Sequence, residues 1–415
     1  MASEIGLYKL HEVYTNNQES PWRFHFWALT SAIGVLASRR VWLNRGYYKL
    51  FPNQYIILTA NSAMCRKNFP CELVQEYLLQ VQGLREENGL VGLYPVVYSG
   101  KITKEKLFEL VAVDPDKEED SPPILIAATE FGTLISKHAI MNGLVDDLTD
   151  YYTSPSIPKT SGTKKDGLQV LRNWCFHVLG ATTPDWLGDS IPQSVFNQGF
   201  VGRVVFVYGK KPRHRIATPR VDAKLDKVRQ EILNRLYNLS FLEGEMKWDP
   251  EAEALYEDWY QTRTEPTNMT AQQSGFFGRE HEHVLKLAMC LSLSESEELI
   301  LRPRHFTRAV EEFGQIYNDL PTLFADVIFN SELPHVKKIE AYLSHEGELQ
   351  RWQINRHMYK KATVDQIDEA LAGMASAGII ERKEIAQKNT RAKIVYKWIG
   401  EDRAEKLAQM EVTQE

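Results

Sequence analysis

The sequence predicts an α/β protein: a core built on a parallel sheet, a helical extension, and a small C-terminal unit of helices ending in two strands. Three observations carry this. Short apolar runs recur in "YIILT", "ILIAATEFG", "NWCFHVLGATTP" and "GFVGRVVFVYG", without the polar alternation of a half-exposed strand. Segments with helical spacing alternate with them, as parallel strands require. After about Asp222 the strand-like runs stop and helical periodicity takes over.

In chain order, "PWRFHFWALTSAIGVLAS" (Pro21 to Ser38) reads as an amphipathic helix, and "RRVWLNRGYYKLFPNQ" as a short hairpin turning at Arg45-Gly46. The strand "YIILT" follows, then the helix "CELVQEYLLQVQGLREE" and the strand "YPVVYSG". "KITKEKLFELVAV" is a helix that Thr103 is placed to cap, and the acidic "DPDKEEDSPP" is a solvated loop. From Leu333 the order is helix, turn, helix, helix and two strands with a basic tip, the order of a winged helix. The expected divisions are residues 1–52 packing on the core, 53–221 the core, 222–330 helical, 331–400 the winged helix and 401–415 a charged tail.

A chain of 415 residues exceeds one ordinary core. Its net charge of −6 argues against a protein that coats nucleic acid generally, leaving local basic patches as the means of contact. Cys65, Cys71, Cys175 and Cys290 form no C-x-x-C pair, so neither a disulfide framework nor a structural zinc is implied, and a reducing cytoplasm fits best. The N-terminal stretch lacks the pattern of a signal peptide, and no apolar run reaches the ~20 residues that span a bilayer.

Ligands of parallel sheets sit at the carboxyl ends of the strands, where Lys67, Glu130, Thr182 and Thr183 fall. "NQYIILTANSAMCRKNFPCELVQEYL" has the strand, tight loop and helix of a P-loop. An ordinary P-loop, G-x-x-x-x-G-K-[ST], wraps phosphates with backbone amides, reaches the outer phosphates with lysine and gives magnesium a hydroxyl. Aligned on Lys67, Asn61 and Arg66 replace the glycines, Asn68 replaces the hydroxyl, and Ser62, Ala63, Met64 and Cys65 complete the loop. Asn61 tolerates a left-handed backbone, while Asn68 is a poorer magnesium ligand. The competing reading is a plain polar turn. Glu130, after "ILIAAT", suits the carboxylate that orients an attacking water, with Thr129 where an aspartate would help hold magnesium; otherwise it belongs to a helix-capping Thr-Glu pair. Thr183 suits a polar contact to the γ-phosphate, against hydroxyls that only satisfy strand-end backbone. Arg203 suits an arginine that neutralises phosphoryl-transfer charge, often from a neighbouring subunit, against a structural ion-pair partner. Arg279 is a candidate second phosphate contact. His281 and His283 lack the H-E-x-x-H spacing of zinc ligands. Lys210, Lys211 and Arg213 in "GKKPRHR" suit a DNA backbone or a solvated loop. Arg351, Arg356, Lys360 and Lys361, with Lys383, Lys388, Arg391 and Lys393 around the wing, are the basic candidates of the C-terminal unit.

Taken together, "LFPNQYIILTANSAMCRKN", "YSGKITKEKLFELV", "ILIAATEFGTLIS", "LGATTPDWL" and "GFVGRVVFVYG", with the helix before them, resemble a family of phage and prophage proteins labelled as a domain of unknown function. That family is grouped with RecA-like or AAA+-like P-loop helicases and primase-helicases, and the resemblance covers roughly residues 5 to 330. It implies a RecA/AAA+-like NTPase core binding ATP and Mg2+, with Lys67 as the Walker A lysine, Glu130 as the acidic Walker B residue, Thr183 as the polar sensor and Arg203 as the arginine after Gly-Phe. It also implies a homo-oligomer such as a hexameric ring, DNA and replication proteins as partners, and a bacterial host cytoplasm. Asn68 departs from the pattern and bears on hydrolysis. The expected function is an ATPase assisting replication of mobile-element DNA; the alternative is a hydrolysis-deficient scaffold binding DNA or a replication partner. A transcriptional regulator built on an NTPase would also require sequence-specific duplex binding.

Overall fold

The computed structural model describes residues 6–90, 94–131, 143–163, 167–190, 199–264, 271–359, 361–376, 379–387 and 390–399. The chain divides into two compact units, Met1–Phe324 and Ala325–Glu415. The first unit spans the regions expected up to residue 324. The division falls inside a helix, Pro303–Glu346, rather than at a linker.

The first unit is a mixed α/β structure around a five-stranded sheet. Its strands are β3 (Tyr55–Thr59), β4 (Val96–Tyr98), β5 (Ile124–Ala128), β8 (Phe176–Thr182) and β9 (Val204–Tyr208), in the order β4-β5-β8-β3-β9. Every pairing is parallel. β3, β5, β8 and β9 are buried along their whole length, which is why they read as continuous apolar runs. The register aligns Thr59 with Thr182 on one side and with Tyr208 on the other, so these strands share one carboxyl edge.

Helix α1 (Leu7–Tyr14) precedes α2 (Trp22–Ala37), which corrects the amphipathic reading: every residue of α2 from Phe24 to Ala37 is buried. It is enclosed by β3, β8 and β9 together with α1, α3 (Asn68–Glu87) and α9 (Ala271–Glu295). Close approach demands Gly34, where a Cβ would stand 2.6 Å from the Pro52 carbonyl oxygen.

The expected hairpin is present as β1 (Val41–Asn44) and β2 (Lys49–Leu50), turning at a left-handed Gly46. It belongs to a second sheet, β11-β10-β1-β2, through β10 (Gly244–Trp248) and β11 (Ile300–Leu301). The region expected to be wholly helical thus carries two strands: the polar sequence of β10 hid the first, and β11 is only two residues long. Beside them are α7 (Ala223–Leu239), α8 (Pro250–Thr262), α9 and the first part of α10 (Pro303–Glu346). Thr103 caps α4 (Lys104–Glu109) by accepting the Lys106 amide at 3.2 Å. Further elements were not read from sequence: α5 (Leu144–Tyr151) and the antiparallel pair β6 (Lys159–Thr163) and β7 (Gly167–Leu171). The short helix α6 (Pro184–Ser190) follows β8.

The second unit contains the end of α10, β12 (Glu348–Gln350), α11 (Arg351–His357), α12 (Val364–Ser376), β13 (Ile380–Gln387) and β14 (Thr390–Trp398). Its antiparallel sheet runs β12-β14-β13 over a core including Leu343, Leu349, Ile354, Leu371 and Tyr396. No helix among the described residues is long and apolar enough to cross a membrane.

Candidate functional site

β3 ends at Thr59, and the chain turns through residues 60–67 into α3. Two non-glycine residues in this turn, Ala63 and Arg66, have left-handed backbones, with φ of 59° and 46°. Each costs about 1 kcal/mol relative to a right-handed residue. Arg66 therefore sits in the left-handed region that favours glycine. Asn61, expected to supply the other left-handed position, does not; Ala63 does.

The turn is pinned from outside. The Ser20 hydroxyl donates to the Arg66 carbonyl at 3.0 Å, and the Glu19 carboxylate accepts from Arg66 Nε at 2.9 Å. Glu19 also accepts the Ile216 amide at 3.1 Å; that bond first, and Arg66 next, hold its carboxyl below the usual range. Cys65 is buried against Gly209, and its thiol is pushed up by burial, partly offset by Lys67. It is a wall rather than a nucleophile.

Lys67 is only 8% exposed, yet its ammonium group forms no ion pair among the described residues. Lys67 is the N-cap of the 20-residue α3, and no side chain caps that helix, whose first turn carries no acidic residue. The Phe69 amide donates to the Arg66 carbonyl at 3.2 Å and Pro70 has no N–H, so of the first three residues only Asn68 can turn an amide, with the positive dipole end, toward the space beside Lys67. That space is a cleft of about 330 Å3 lined by Ser62, Ala63, Cys65, Arg66, Lys67, Asn68, Phe69, Glu72 and Glu130. Glu130 lies just past β5, two strands from β3, or about 10 Å across the sheet. The intervening strand, β8, ends at Thr182.

The sequence reading thus finds Lys67 and Glu130 lining one cavity. It missed Glu72, four residues beyond Asn68 on α3 and so on the same helical face. Spacing from Asn68 was the signal available. Among the described residues no group of three or more His, Cys, Asp or Glu is arranged to hold a metal ion. Two carboxylates and an amide do face the cleft, a set that suits a hard cation sharing phosphate oxygens.

A scan against protein-family models and a search of curated proteins give no match to this chain. The family resemblance therefore rests on the motifs themselves.

Other expected site residues stand elsewhere. Thr183 lies at the same sheet edge, but its hydroxyl accepts the Trp186 amide at 3.3 Å and caps α6. Arg203 precedes β9, whose first residue pairs with the first residue of β3. It occupies the amino edge of the sheet, a strand length of about 16 Å from the Lys67 loop. There Arg203 Nη1 donates to the Gly199 carbonyl at 2.8 Å. Arg279, near it, pairs with Glu282 at 3.4 Å. Within one chain neither arginine joins the cleft, because parallel strands separate their two ends.

The basic run after β9 is partly consumed: Lys210 pairs with Asp319 at 3.4 Å and Arg213 with Glu12 at 3.5 Å, while Lys211 is exposed. In the second unit Arg351 pairs with Asp368 of α12, and Lys383 with Glu381. Arg356 and Lys361 are exposed. Lys360 and Lys388 lie outside the described residues, as does the side chain of Arg391. α12 carries Asp365, Asp368 and Glu369 and no lysine or arginine, so the basic candidates stand on α11, the following turn and the hairpin.

Proposed function

We propose that the protein binds a nucleoside triphosphate at the Lys67 cleft and acts as a P-loop NTPase on DNA in the replication of a phage or other mobile element. One observation carries the reading: a nearly buried lysine with no ion pair among the described residues shares a cavity with Glu130 and an uncapped helix N-terminus. A lysine whose stem is buried and whose unpaired ammonium group opens into a cleft is placed to meet an anion there.

Lys67 would hold the outer phosphates while the amides of Arg66, Lys67 and Asn68 bind them by the left-handed then right-handed backbone of a nest. Glu130 would orient the attacking water. Glu72, Glu130 and Asn68 are the residues that would hold Mg2+, which neutralises phosphate charge when bound. The Thr183 hydroxyl keeps its proton after capping α6 and can donate at the same edge. Arg203 would reach a phosphate only from a second copy of the chain, as in an oligomer such as a ring.

The order helix, strand, helix, helix, hairpin in the second unit supports a winged helix, and Arg356, Lys361 and the hairpin supply its phosphate contacts to DNA. Steady-state ATPase rates with and without single-stranded DNA test the whole reading, with Lys67→Ala and Glu130→Gln as controls. Failure of the wild-type protein to bind any nucleotide rejects it. A hydrolysis-deficient scaffold is the second reading, favoured by Asn68 in place of the magnesium hydroxyl and by Thr129. It is distinguished by nucleotide binding without phosphate release, together with salt-dependent DNA binding.

A further inference from the structure

Beside the Lys67 cleft is a second cavity, of about 430 Å3, lined by Glu19, Ala63, Met64, Arg66, Pro212, Arg215, Ile216 and Ala217. The two cavities share Ala63 and Arg66. We infer that this second cavity is a nucleobase pocket, and that it stacks the base without reading its edge. The inference rests on the phosphate-site reading of Lys67.

Its walls come from three separate segments: the turn before α2, the phosphate loop, and the segment after β9. Glu19 fastens them together. Its carboxylate takes Arg66 and the Ile216 amide, and its backbone carbonyl takes the Arg213 amide at 2.9 Å. The pocket is therefore formed before any ligand arrives.

The surfaces offered are flat and apolar. Met64 is 48% exposed, and with Pro212, Ile216 and Ala217 it provides thioether and aliphatic faces suited to an aromatic ring. Arg215 is exposed, forms no ion pair among the described residues, and can stack on any base. Two of the lining groups able to recognise a base edge are already used, and Arg215, exposed to solvent, is not a buried group that a wrong base would leave unpaired. The Ile216 amide donates to Glu19, and the Glu19 carboxylate is held by that amide and Arg66. Strong discrimination between bases needs a buried polar group left unpaired by the wrong one, which these occupied groups do not provide.

Calorimetric titration of the full chain with inorganic tripolyphosphate, ATP and GTP, each with magnesium, tests this. Both nucleotides should bind at least about tenfold more tightly than tripolyphosphate, and within about threefold of each other. Ile216→Asn, polar but uncharged, should reduce that advantage and leave tripolyphosphate affinity unchanged. Met64→Ala, at an exposed position, should reduce it partially and guards against a folding defect in the first variant. Equal affinity for tripolyphosphate and ATP overturns the base pocket while sparing the phosphate site. A tenfold preference for one purine overturns the unselective stacking. Absence of binding by all three overturns both.

Discussion

The two edges of the parallel sheet are built from the same strands and treat charge in opposite ways. At the carboxyl edge Lys67 is nearly buried without an ion partner among the described residues, beside an open cleft and an uncapped helix. At the amino edge Lys286 is buried too, but its ammonium donates to the Asn53 carbonyl at 2.9 Å and to Asn53 Oδ1 at 2.7 Å, and sits 4.0 Å over the Tyr152 ring. Burial pushes that ammonium down to about 8. His283 completes the cluster: its Nε2–H donates to the Gly202 carbonyl at 2.8 Å, which leaves Nδ1 to accept from the Tyr152 hydroxyl at 3.3 Å. Satisfied polar groups lock a fold, whereas a cation without an ion partner beside an open cleft is, on the proposed reading, kept for a ligand.

The sharpest way to break this comparison is to remove both lysines. Lys286→Ala should destabilise the protein by about 3–5 kcal/mol, since it leaves a cavity and two buried acceptors unmet. Lys67→Ala should change stability by less than about 0.5 kcal/mol while weakening ATP binding at least about 100-fold. Urea unfolding and calorimetry measure the two; equal stability losses would erase the distinction.

Gly34→Ala comes next, with an expected cost of about 2–4 kcal/mol from overpacking against the Pro52 carbonyl behind the amino edge. Thermal unfolding checks it.

Acid should also act through buried histidines. Burial lowers His11, His177 and His283 to about 3, from an ordinary value of 6.5. Between those values only the unfolded chain takes up protons at these sites. Stability is therefore complete above pH 6.5 and falls as the pH drops toward 3, by up to about 1.4 kcal/mol per pH unit for each histidine. Urea midpoints between pH 8 and 5 should fall on the acid side, and His283→Gln should lower the linked proton count by one.

Smaller effects belong to the carboxyl edge. Glu130→Gln should slow turnover at least about tenfold with stability within about 0.5 kcal/mol of wild type, because the side chain is exposed. Ala63→Gly should raise stability by up to about 1 kcal/mol by relieving its left-handed backbone. A loss of stability in that variant would show that the turn is not strained.

The core strands were legible because full burial on both faces leaves an uninterrupted apolar run, as in "YIILT" and "VVFVY". Strand β10 of the second sheet and the β6–β7 pair were not, since polar sequences such as "GEMKW" and "KTSGT" take strand form only when a partner strand is beside them. Within the site, Lys67 and Glu130 could be found because each falls in the segment that leaves the carboxyl end of such a run. Glu72 could not be assigned a role until the helix face was known, and the Ile216 segment is 150 residues from the loop it meets.

The sequence by itself determined the strand content of the core and which residues fall at strand ends, because period and burial are local properties of the chain. Only the tertiary structure decided which ends meet. Parallel pairing gathers Lys67 and Glu130 at one edge and carries Arg203 to the other, since a parallel strand places its first and last residues on opposite sides of the sheet.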